Sequence, residues 1–500
     1  MEKLKKYKEE VIFHIGLNII FSVFITLSPY THIPFGGLKG FLFYLVHFLV
    51  LQFTVFGCIY ILSLIKKVFL ILFPVIFLIL SGISFWVYTQ DISINSGIIQ
   101  VILESNFDIA IDIINFHFLA YLFFGLIIVL FWILKFKKYR ISSVKSPIFF
   151  LSLLSFLTFF LVEKYKFGTL KRKLPYSVYF ATKEFFKTDK VSLKKVSQNV
   201  YSKAKDVNIV FVLGESVRSD HLAVNGYNKN TTPLLAKQSN LVSFTNVYTS
   251  LTYTAISLPQ ILTDKSLVHT TTNEFTSVYS VLNSSGFNTI WIGNQSLEKS
   301  YEEIVKTNNS VKIIDEFHSV LSFKKLKDLE LLASFNLKNK NTITTLHMIG
   351  SHWYYNSRYD KSFEKFTPVT TSKHVGLSTK NQLINSYNNT ILYLDFFLNK
   401  LIEDIKKSDQ KTVVIYLSDH GETLGEEGKW FHAQDHKSSK NPAMLVWSSD
   451  SYLEENPNFI KNLTSKRNDS ISTDFLFHSI LHLAKVKNFD YNLDLSIFKQ

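Results

Sequence analysis

The sequence predicts a protein of two parts: an N-terminal domain of five transmembrane helices and a C-terminal α/β domain with a mostly parallel central sheet. Up to about residue 165 the chain consists of long apolar runs with almost no internal charge, whereas after about residue 200 its composition is that of a soluble protein. In this second part strand-like and helix-like stretches alternate, which is typical of a parallel sheet covered by helices. The length of 500 residues also exceeds that of one typical domain.

The transmembrane domain is predicted over residues 1–165. The alternative for each apolar segment is a buried core helix, but five segments in succession favour membrane spans. The segments long enough to cross a bilayer are residues 11–29, 39–64, 68–88, 113–134 and 146–163.

The positions of Lys and Arg predict how these spans are oriented. Basic residues lie at the N-terminus and in the connections after the second and fourth spans, whereas the third connection, residues 89–112, has no Lys or Arg. This pattern places the N-terminus in the cytoplasm. After five spans the rest of the chain lies outside the cytoplasm, which in a Gram-negative cell is the periplasm. We therefore expect a multi-pass protein of the bacterial inner membrane.

Charge and cysteine content narrow the choice of partners. A formal net charge of +14 would suggest nucleic acid for a soluble protein. Much of the excess lies in the predicted cytoplasmic loops, where membrane topology explains it, so no nucleic-acid partner is expected. The single cysteine, Cys58, lies inside the second span, and no disulfide can form within one chain.

The soluble catalytic domain is predicted over residues 206–500. The preceding residues, 166–205, are mixed basic and aromatic, so we expect helices that lie along the membrane surface; a plain linker is the alternative. Strands are expected at 208–213, 288–293, 342–349, 411–417 and 443–447, and helices at 231–240, 274–285, 380–407 and 473–485.

Two of the predicted strands end in residues that can bind a metal. Asp419 and His420 follow a run of strand-forming residues, and Glu215 follows another. Carboxylate oxygen and imidazole nitrogen together suit zinc, and the carboxyl ends of parallel strands meet at one edge of a sheet. The sequence therefore predicts a metal site there. An exposed turn acid is the alternative for Glu215, and a structural role is the alternative for the histidine.

The residues alone leave the nucleophile open. The run from Ser250 to Pro259 contains four Ser and Thr hydroxyls. A hydroxyl bound to zinc is easier to deprotonate and can attack phosphorus at neutral pH, although a Ser/Thr-rich helix start explains the run equally well. His352 and His432 are candidates to bind a metal or a phosphate oxygen, or to protonate a leaving group. Taken singly, each is more often a surface or core residue.

Together these segments resemble the bacterial phosphoethanolamine transferases of lipopolysaccharide, which belong to the alkaline phosphatase/sulfatase superfamily. The resemblance covers nearly the whole chain and implies a sulfatase-like fold for the soluble domain. The motifs that carry it, in chain order, are Gly214-Glu215-Ser216-Val217-Arg218, Thr254-Ala255-Ile256-Ser257-Leu258-Pro259, Trp291-Ile292-Gly293-Asn294-Gln295, Gly350-Ser351-His352, and Ser418-Asp419-His420-Gly421-Glu422 with His432 beyond it.

The resemblance implies zinc-dependent transfer of phosphoethanolamine from phosphatidylethanolamine to a cell-envelope acceptor, either lipid A or a core sugar of lipopolysaccharide. Thr254 would be the nucleophile and would form a phospho-threonine intermediate. His352 and His432 would bind the phosphoryl group or a second zinc and assist proton transfer. Polymyxin resistance is the phenotype such a reaction implies. The residues that would hold the one tightly bound zinc are Glu215, Thr254, Asp419 and His420.

Further residues match the family less closely. Gln295 and Lys299 match substrate-binding positions, and the segment that contacts the donor lipid in the family falls near residues 100–112. Leu251 and Gln260 stand where members that modify lipid A commonly have cysteines. Trp353-Tyr354 replaces the family's Gly-Pro. These departures leave the acceptor open.

Two other enzyme classes share this plan. A hydrolytic sulfatase needs Cys or Ser followed by x-Pro-x-Arg, and Ser257 is followed by Leu-Pro-Gln-Ile, so the sequence excludes it. A glycerol-phosphate transferase of the lipoteichoic acid synthase type remains the alternative enzyme. A transporter is the alternative from another class, but it would leave the large outer domain unexplained.

Overall fold

The structure, a computed structural model, describes residues 2–31, 33, 35–90, 94–95, 99, 116–137, 142–165, 170–187, 191–268, 274–316, 318, 324–337, 340–372, 377–432 and 435–499. The chain forms two compact units. The first unit comprises Met1–Lys187 together with Ser322–Lys324 and Thr371–Leu377, and the second unit comprises the remaining residues.

Long apolar helices build the first unit. Their outer faces carry exposed large apolar side chains such as Ile71 and Phe160, as lipid-facing helices do. Five helices among the described residues are long and apolar enough to cross a membrane, which confirms the predicted number: Tyr7–Thr26, Leu38–Ser63, Lys66–Thr89, Phe116–Lys135 and Pro147–Lys164. Among the described residues of the first unit, the α-helices have these full bounds: Glu2–Phe21 (continued by the π-helix Ser22–Thr26), Leu38–Ser63, Lys66–Gln90, Phe116–Lys137, Pro147–Lys164 and Tyr176–Lys187.

A mostly parallel sheet lies at the centre of the second unit, as predicted. Its seven strands have the order β4-β13-β10-β3-β9-β7-β8. Only β13 runs antiparallel to its neighbours in this sheet. The strands of the unit are β1 Ser192–Leu193, β2 Tyr201–Ser202, β3 Asn208–Gly214, β4 Leu241–Phe244, β5 Val247–Tyr248, β6 Glu274–Phe275, β7 Asn288–Gly293, β8 Ser310–Ile313, β9 Thr342–His347, β10 Thr412–Ser418, β11 Thr423–Leu424, β12 Trp430–Phe431, β13 Met444–Ser448, β14 Ile471–Ser472 and β15 Val486–Lys487.

Each face of this sheet is covered by its own hydrophobic core. Alternate residues of β3 face opposite cores, so Phe211 packs in one core and Val212 in the other. Because both faces are covered, all seven residues of β3 and of β10 are buried. The covering α-helices are Thr254–Ile261, Val278–Ser284, Glu302–Val305, Leu329–Ser334, Lys380–Lys406, Asp450–Glu455, Phe459–Ser465 and Phe475–Leu483.

The helix predicted at residues 231–240 is wrong. The segment contains only a 3₁₀ turn, Leu235–Lys237. The hydroxyl of Thr231 accepts a hydrogen bond from the backbone N–H of Ala223, and the hydroxyl of Thr232 accepts one from that of Val224. These side-chain to backbone bonds tie the segment to the preceding loop and compete with helix formation. The predicted helix 274–285 begins instead as strand β6 and becomes helical only at Val278.

The described residues of the region 166–205, where surface helices were predicted, are helical in the first part and extended in the last part; a position on the membrane surface stays a prediction. A 3₁₀ turn, Leu170–Arg172, and the helix Tyr176–Lys187 lie in the first unit. From residue 191 the chain is extended: β1 pairs with β6, and β2 pairs with β15. The apolar side chains of Val191 and Leu193 pack against the core of the second unit, and this burial favours extended chain over a helix on a membrane surface.

Candidate metal centre and active site

The ends of β3 and β10 place three potential metal ligands side by side. The two strands are parallel neighbours, and Gly214 is paired with Ser418. Glu215 and Asp419 therefore leave the sheet at the same level, and the backbone N–H of Asp419 donates to the carbonyl of Gly214 at 3.1 Å. His420 follows directly.

Glu215, Asp419 and His420 form a compact, fully buried cluster. One potential ligand atom from each lies within 4.8 Å of the other two. Nε2 of His420 is 3.3 Å from a carboxylate oxygen of Glu215 and 3.3 Å from one of Asp419. Its Nδ1 donates to the carbonyl of Gly421 at 2.7 Å, which orients the ring so that Nε2 faces the two acids.

The hydrogen bonds of the cluster test whether a metal ion fits. One oxygen of Asp419 accepts from the backbone N–H groups of Ser216 and His420, at 3.2 and 2.8 Å. Its other oxygen and Nε2 of His420 are buried and have no hydrogen-bond partner within the described parts of the chain. A buried polar atom without a partner is destabilising, so these atoms suit a cation. Two carboxylates and one imidazole match the donor set of a catalytic zinc site with one position left open.

The electrostatics of the cluster also favour a cation. Burial and the charge of Glu215 raise the pKa of Asp419 to about 7. In Glu215 itself, burial opposes ionisation, but the nearby charge of His420 outweighs it and holds the pKa of Glu215 well below its usual value. Burial acts against the charge of His420 too, yet the two acids raise its pKa to about 10. The two carboxylates thus share one positive group, His420, and a dication would supply the charge that stabilises both of them in the ionised form.

Thr254 is the residue of the predicted hydroxyl run whose side chain reaches this cluster. It is the first residue of the helix Thr254–Ile261, it is half-buried, and its hydroxyl donates to Glu215 at 2.8 Å. Ser257, one turn later, is buried and donates instead to the carbonyl of Tyr253 at 3.0 Å. The hydroxyl of Thr254 therefore lies against a candidate metal ligand, whereas that of Ser257 does not.

The helix that carries Thr254 is anchored at its other end. The side-chain amide of Gln260 donates to Asp474 at 2.7 Å, and its oxygen accepts from the hydroxyl of Thr473 at 2.9 Å. Asp474 also accepts from the backbone N–H of Leu267 at 2.9 Å. All three side chains of this network are buried, so the helix has a fixed position without a disulfide.

The histidines His352 and His432 lie next to the cluster. The ring of His432 is 5.3 Å from that of His420 and 5.3 Å from that of His352, measured between centroids. Both outer rings are half-buried, in contrast to the fully buried His420. Nδ1 of His352 donates to the carbonyl of Trp353 at 2.6 Å. The two imidazoles are thus placed to meet a substrate that reaches Thr254.

Gln295 is part of the same site, whereas the position of Lys299 leaves its role a prediction. The amide of Gln295 donates to the carbonyl of Met348 at 2.7 Å and lies 3.5 Å from Glu215. Lys299 is half-buried in the segment between β7 and the helix Glu302–Val305. The predicted donor-contacting segment, residues 100–112, lies outside the described residues.

Sequence reasoning missed Asp328, which supports the metal-ligand cluster through Gly350, a residue of the Gly350-Ser351-His352 motif. Buried Asp328 accepts from the backbone N–H groups of Ile349 and Gly350, both at 2.9 Å. Gly350 has φ +53°, and a Cβ on it would lie 2.7 Å from the carbonyl oxygen of Glu215. A larger residue would therefore displace the backbone of Glu215. No local pattern in the sequence distinguishes Asp328, since its partners lie about twenty positions away.

Glu422 was missed as well, although its place in the Asp419-His420-Gly421-Glu422 motif was a usable signal. It is fully buried and accepts from the hydroxyl of Tyr355 at 3.2 Å. It also lies 3.9 Å from Nδ1 of His432. Burial raises the pKa of Glu422 to about 8. This carboxyl group therefore belongs to the surroundings of the two outer histidines.

The soluble part of the chain is similar to known proteins. The sulfatase family matches residues 207–486. Phosphoethanolamine transferase EptA of Escherichia coli (strain K12) is 32% identical over 300 residues, which are 57% of this chain and 54% of the relative. The chain thus matches about half the length of this curated relative.

Solved structures extend the similarity to the membrane part. The soluble domain of lipooligosaccharide phosphoethanolamine transferase A from Neisseria meningitidis is 26% identical with a TM-score of 0.56; the match covers 62% of this chain and 98% of that domain. The integral membrane protein EptA from Neisseria meningitidis shares the fold over 98% of both chains, at 22% identity and a TM-score of 0.57.

Proposed function

The chain belongs to the sulfatase family, and from this premise we propose that it is a membrane-anchored transferase that moves phosphoethanolamine from phosphatidylethanolamine to a cell-envelope acceptor. One observation carries the proposal: the hydroxyl of Thr254 lies 2.8 Å from Glu215, in a buried cluster with Asp419 and His420. A hydroxyl beside a metal site is the nucleophile that phosphoryl transfer needs. The names of the relatives above support phosphoethanolamine as the transferred group.

Zinc is the metal we propose, held by Glu215, Asp419 and His420 with Thr254 at the open side. When bound, it would supply positive charge beside the nucleophile and the phosphoryl oxygens. The protein supplies the geometry around it. Gly421 fixes the tautomer of His420, and the backbone N–H groups of Ser216 and His420 orient the carboxylate of Asp419. A second zinc beside His352 and His432 remains part of the proposal.

The first half of the proposed reaction forms a phospho-threonine. Oγ1 of Thr254 bonds to phosphorus as the bond from phosphorus to the glycerol oxygen of the donor breaks. The hydroxyl of Thr254, which donates a hydrogen bond to Glu215, releases its proton to solvent. His352 or His432 gives a proton to the glycerol oxygen, so that diacylglycerol leaves as an alcohol. Gln295, within 3.5 Å of Glu215, helps to orient the phosphoryl group.

The second half transfers the group to the acceptor. A hydroxyl or phosphate oxygen of lipid A, or of a core sugar of lipopolysaccharide, attacks the same phosphorus as the bond to Oγ1 of Thr254 breaks. The histidine that gave a proton in the first half takes the acceptor's proton, and Thr254 regains its own. Lys299 is proposed to bind the substrate. Polymyxin resistance would follow if the acceptor is lipid A.

The location we propose is the bacterial inner membrane, with the N-terminus in the cytoplasm and the second unit in the periplasm. The five apolar helices and the distribution of Lys and Arg support it. A membrane anchor also suits an enzyme whose donor is a lipid. Alkaline phosphatase fused after Gln500 is expected to be active and a fused fluorescent reporter that matures only in the cytoplasm to be dark. The reverse result would contradict the orientation.

Mass spectrometry of the cell envelope tests the reaction itself. Cells that produce the chain are expected to carry one added phosphoethanolamine unit on a defined fragment of lipid A or core. Cells that produce the Thr254→Ala variant at the same level are the control. An added glycerol phosphate instead of phosphoethanolamine would contradict the proposal in favour of the lipoteichoic acid synthase type of reaction.

A further inference from the structure

Two aromatic residues are direct chain neighbours of the two half-buried histidines. Trp353 follows His352, and Phe431 precedes His432. The rings of Trp353 and Phe431 lie 4.6 Å apart between centroids, at an interplanar angle of 42°. Aromatic pairs at such distances contribute stability beyond that of their burial. This contact joins the loop after β9, here the first loop, to the segment after β10 that contains β11 and β12, here the second loop. The two meet where each presents an imidazole.

On the first loop, the orientation of His352 depends on Trp353. Nδ1 of His352 donates to the carbonyl of Trp353 at 2.6 Å. Buried Arg358 donates to the same carbonyl at 3.1 Å and to the carbonyl of His352 at 2.8 Å. The hydrogen bond to the Trp353 carbonyl sets which nitrogen of His352 faces the site, so a shift of Trp353 turns the imidazole.

On the second loop, the backbone before His432 has an unfavourable conformation. Phe431 has φ +69°, in the left-handed region, which is unfavourable for a residue with a side chain. Two contacts hold it there besides the ring of Trp353. Its carbonyl accepts from the hydroxyl of Thr423 at 2.6 Å, and β12 pairs with β11. The direction in which the chain enters His432 therefore depends on this packing.

A third aromatic residue links the same two loops. The ring of Tyr355 lies 5.0 Å from that of Trp353 and 6.4 Å from that of Phe431. Its hydroxyl donates to Glu422 on the second loop at 3.2 Å. Tyr355 is fully buried, whereas Trp353 and Phe431 are half-buried. Tyr355 thus connects the two loops in the core. The Trp353–Phe431 contact connects them nearer the surface, next to the imidazoles.

We propose that Trp353 and Phe431 form an aromatic clasp that holds the imidazoles of His352 and His432 at the separation that group transfer requires. Both are positioning residues, because they act through the two histidines. The expected effect on kcat rests on the proposed function. The expected effect on the positions of the two imidazoles does not. The family that this chain resembles has Gly where this chain has Trp353. In this chain, the larger side chain at that position would hold the two histidines in place.

Kinetics of the full-length protein in lipid nanodiscs test the clasp. Trp353→Ala and Phe431→Ala are each expected to lower kcat by about 10- to 100-fold with little change in KM, because misplaced groups slow the transfer step. The double variant should be no slower than the slower single variant, since each substitution alone already removes the same Trp353–Phe431 contact. Trp353→Phe should restore most of kcat. The matched control is Phe363→Ala, which removes a ring contact with Phe396 at 5.3 Å elsewhere in the same unit and should leave kcat unchanged.

Unchanged kcat in the single variants, or losses that multiply in the double variant, would overturn the clasp. Equal losses in Phe363→Ala would also overturn it, because they would reflect stability alone. A second measurement separates the clasp from the proposed function. In protein labelled with ¹³C at histidine Cε1, the signals of His352 and His432 should shift in Trp353→Ala and stay in place in Phe363→Ala. If these signals shift while the unaltered protein transfers no phosphoethanolamine, only the proposed function fails; signals that do not shift refute the clasp.

Discussion

Thr254→Ala is expected to abolish transfer, with a loss of roughly a thousandfold or more, because the variant removes the hydroxyl that is proposed to attack phosphorus. The fold should survive, since Thr254 is half-buried at the start of its helix and its side chain donates one hydrogen bond. Loss of a hydrogen bond to a carboxylate costs about 1.5–3 kcal/mol. The measurement is transfer from a labelled phosphatidylethanolamine, together with mass spectrometry of the protein for a phosphorylated Thr254.

Two further variants give this experiment its controls. Thr254→Ser keeps a hydroxyl at the same place and should retain measurable transfer. Ser257→Ala removes a hydroxyl from the same helix that donates to the carbonyl of Tyr253 and should leave activity near that of the unaltered protein. Full activity of Thr254→Ala, or a phosphorylated residue other than Thr254, would remove Thr254 as the nucleophile.

Removal of the metal is the second change with a large expected effect. A chelator should inactivate the protein, and added zinc should restore it. Glu215→Gln should lose both zinc and activity, since it neutralises one of the two carboxylates that face Nε2 of His420. The loss in rate should again be roughly a thousandfold, because the variant removes the charge that holds the cation beside the nucleophile.

Metal content gives this experiment a readout besides activity. Elemental analysis of the purified protein should find about one zinc per chain and much less in Glu215→Gln. Glu403→Gln is the matched control: Glu403 is an exposed acid on the helix Lys380–Lys406 that pairs with Lys406. Zinc content that is the same in Glu215→Gln and in the unaltered protein would exclude Glu215 as a ligand.

The membrane spans and the buried strands could be predicted from the sequence without tertiary information. A bilayer or a sheet buried on both faces demands local runs of apolar residues, so the membrane helices and the strands around residues 208–214 and 412–418 are visible in the chain. The approach of Glu215 to Asp419 was also predictable, because parallel strands end at a common edge. The predictions for 191–205 and 231–240 failed because strand pairing and Thr hydroxyl bonds to the backbone override local preference.

The sequence by itself determined the division into a membrane part and an α/β part, and which strand ends carry acids and imidazoles, since both follow from neighbours along the chain. The residues alone left Thr254 and Ser257 open, the resemblance named Thr254, and the tertiary structure placed it against Glu215. Only the tertiary structure decided that Asp328 supports Gly350 and that Trp353 meets Phe431. The physical reason is distance along the chain. These contacts join loops that the sheet brings together from tens of residues apart, and no local pattern records which loop will face which.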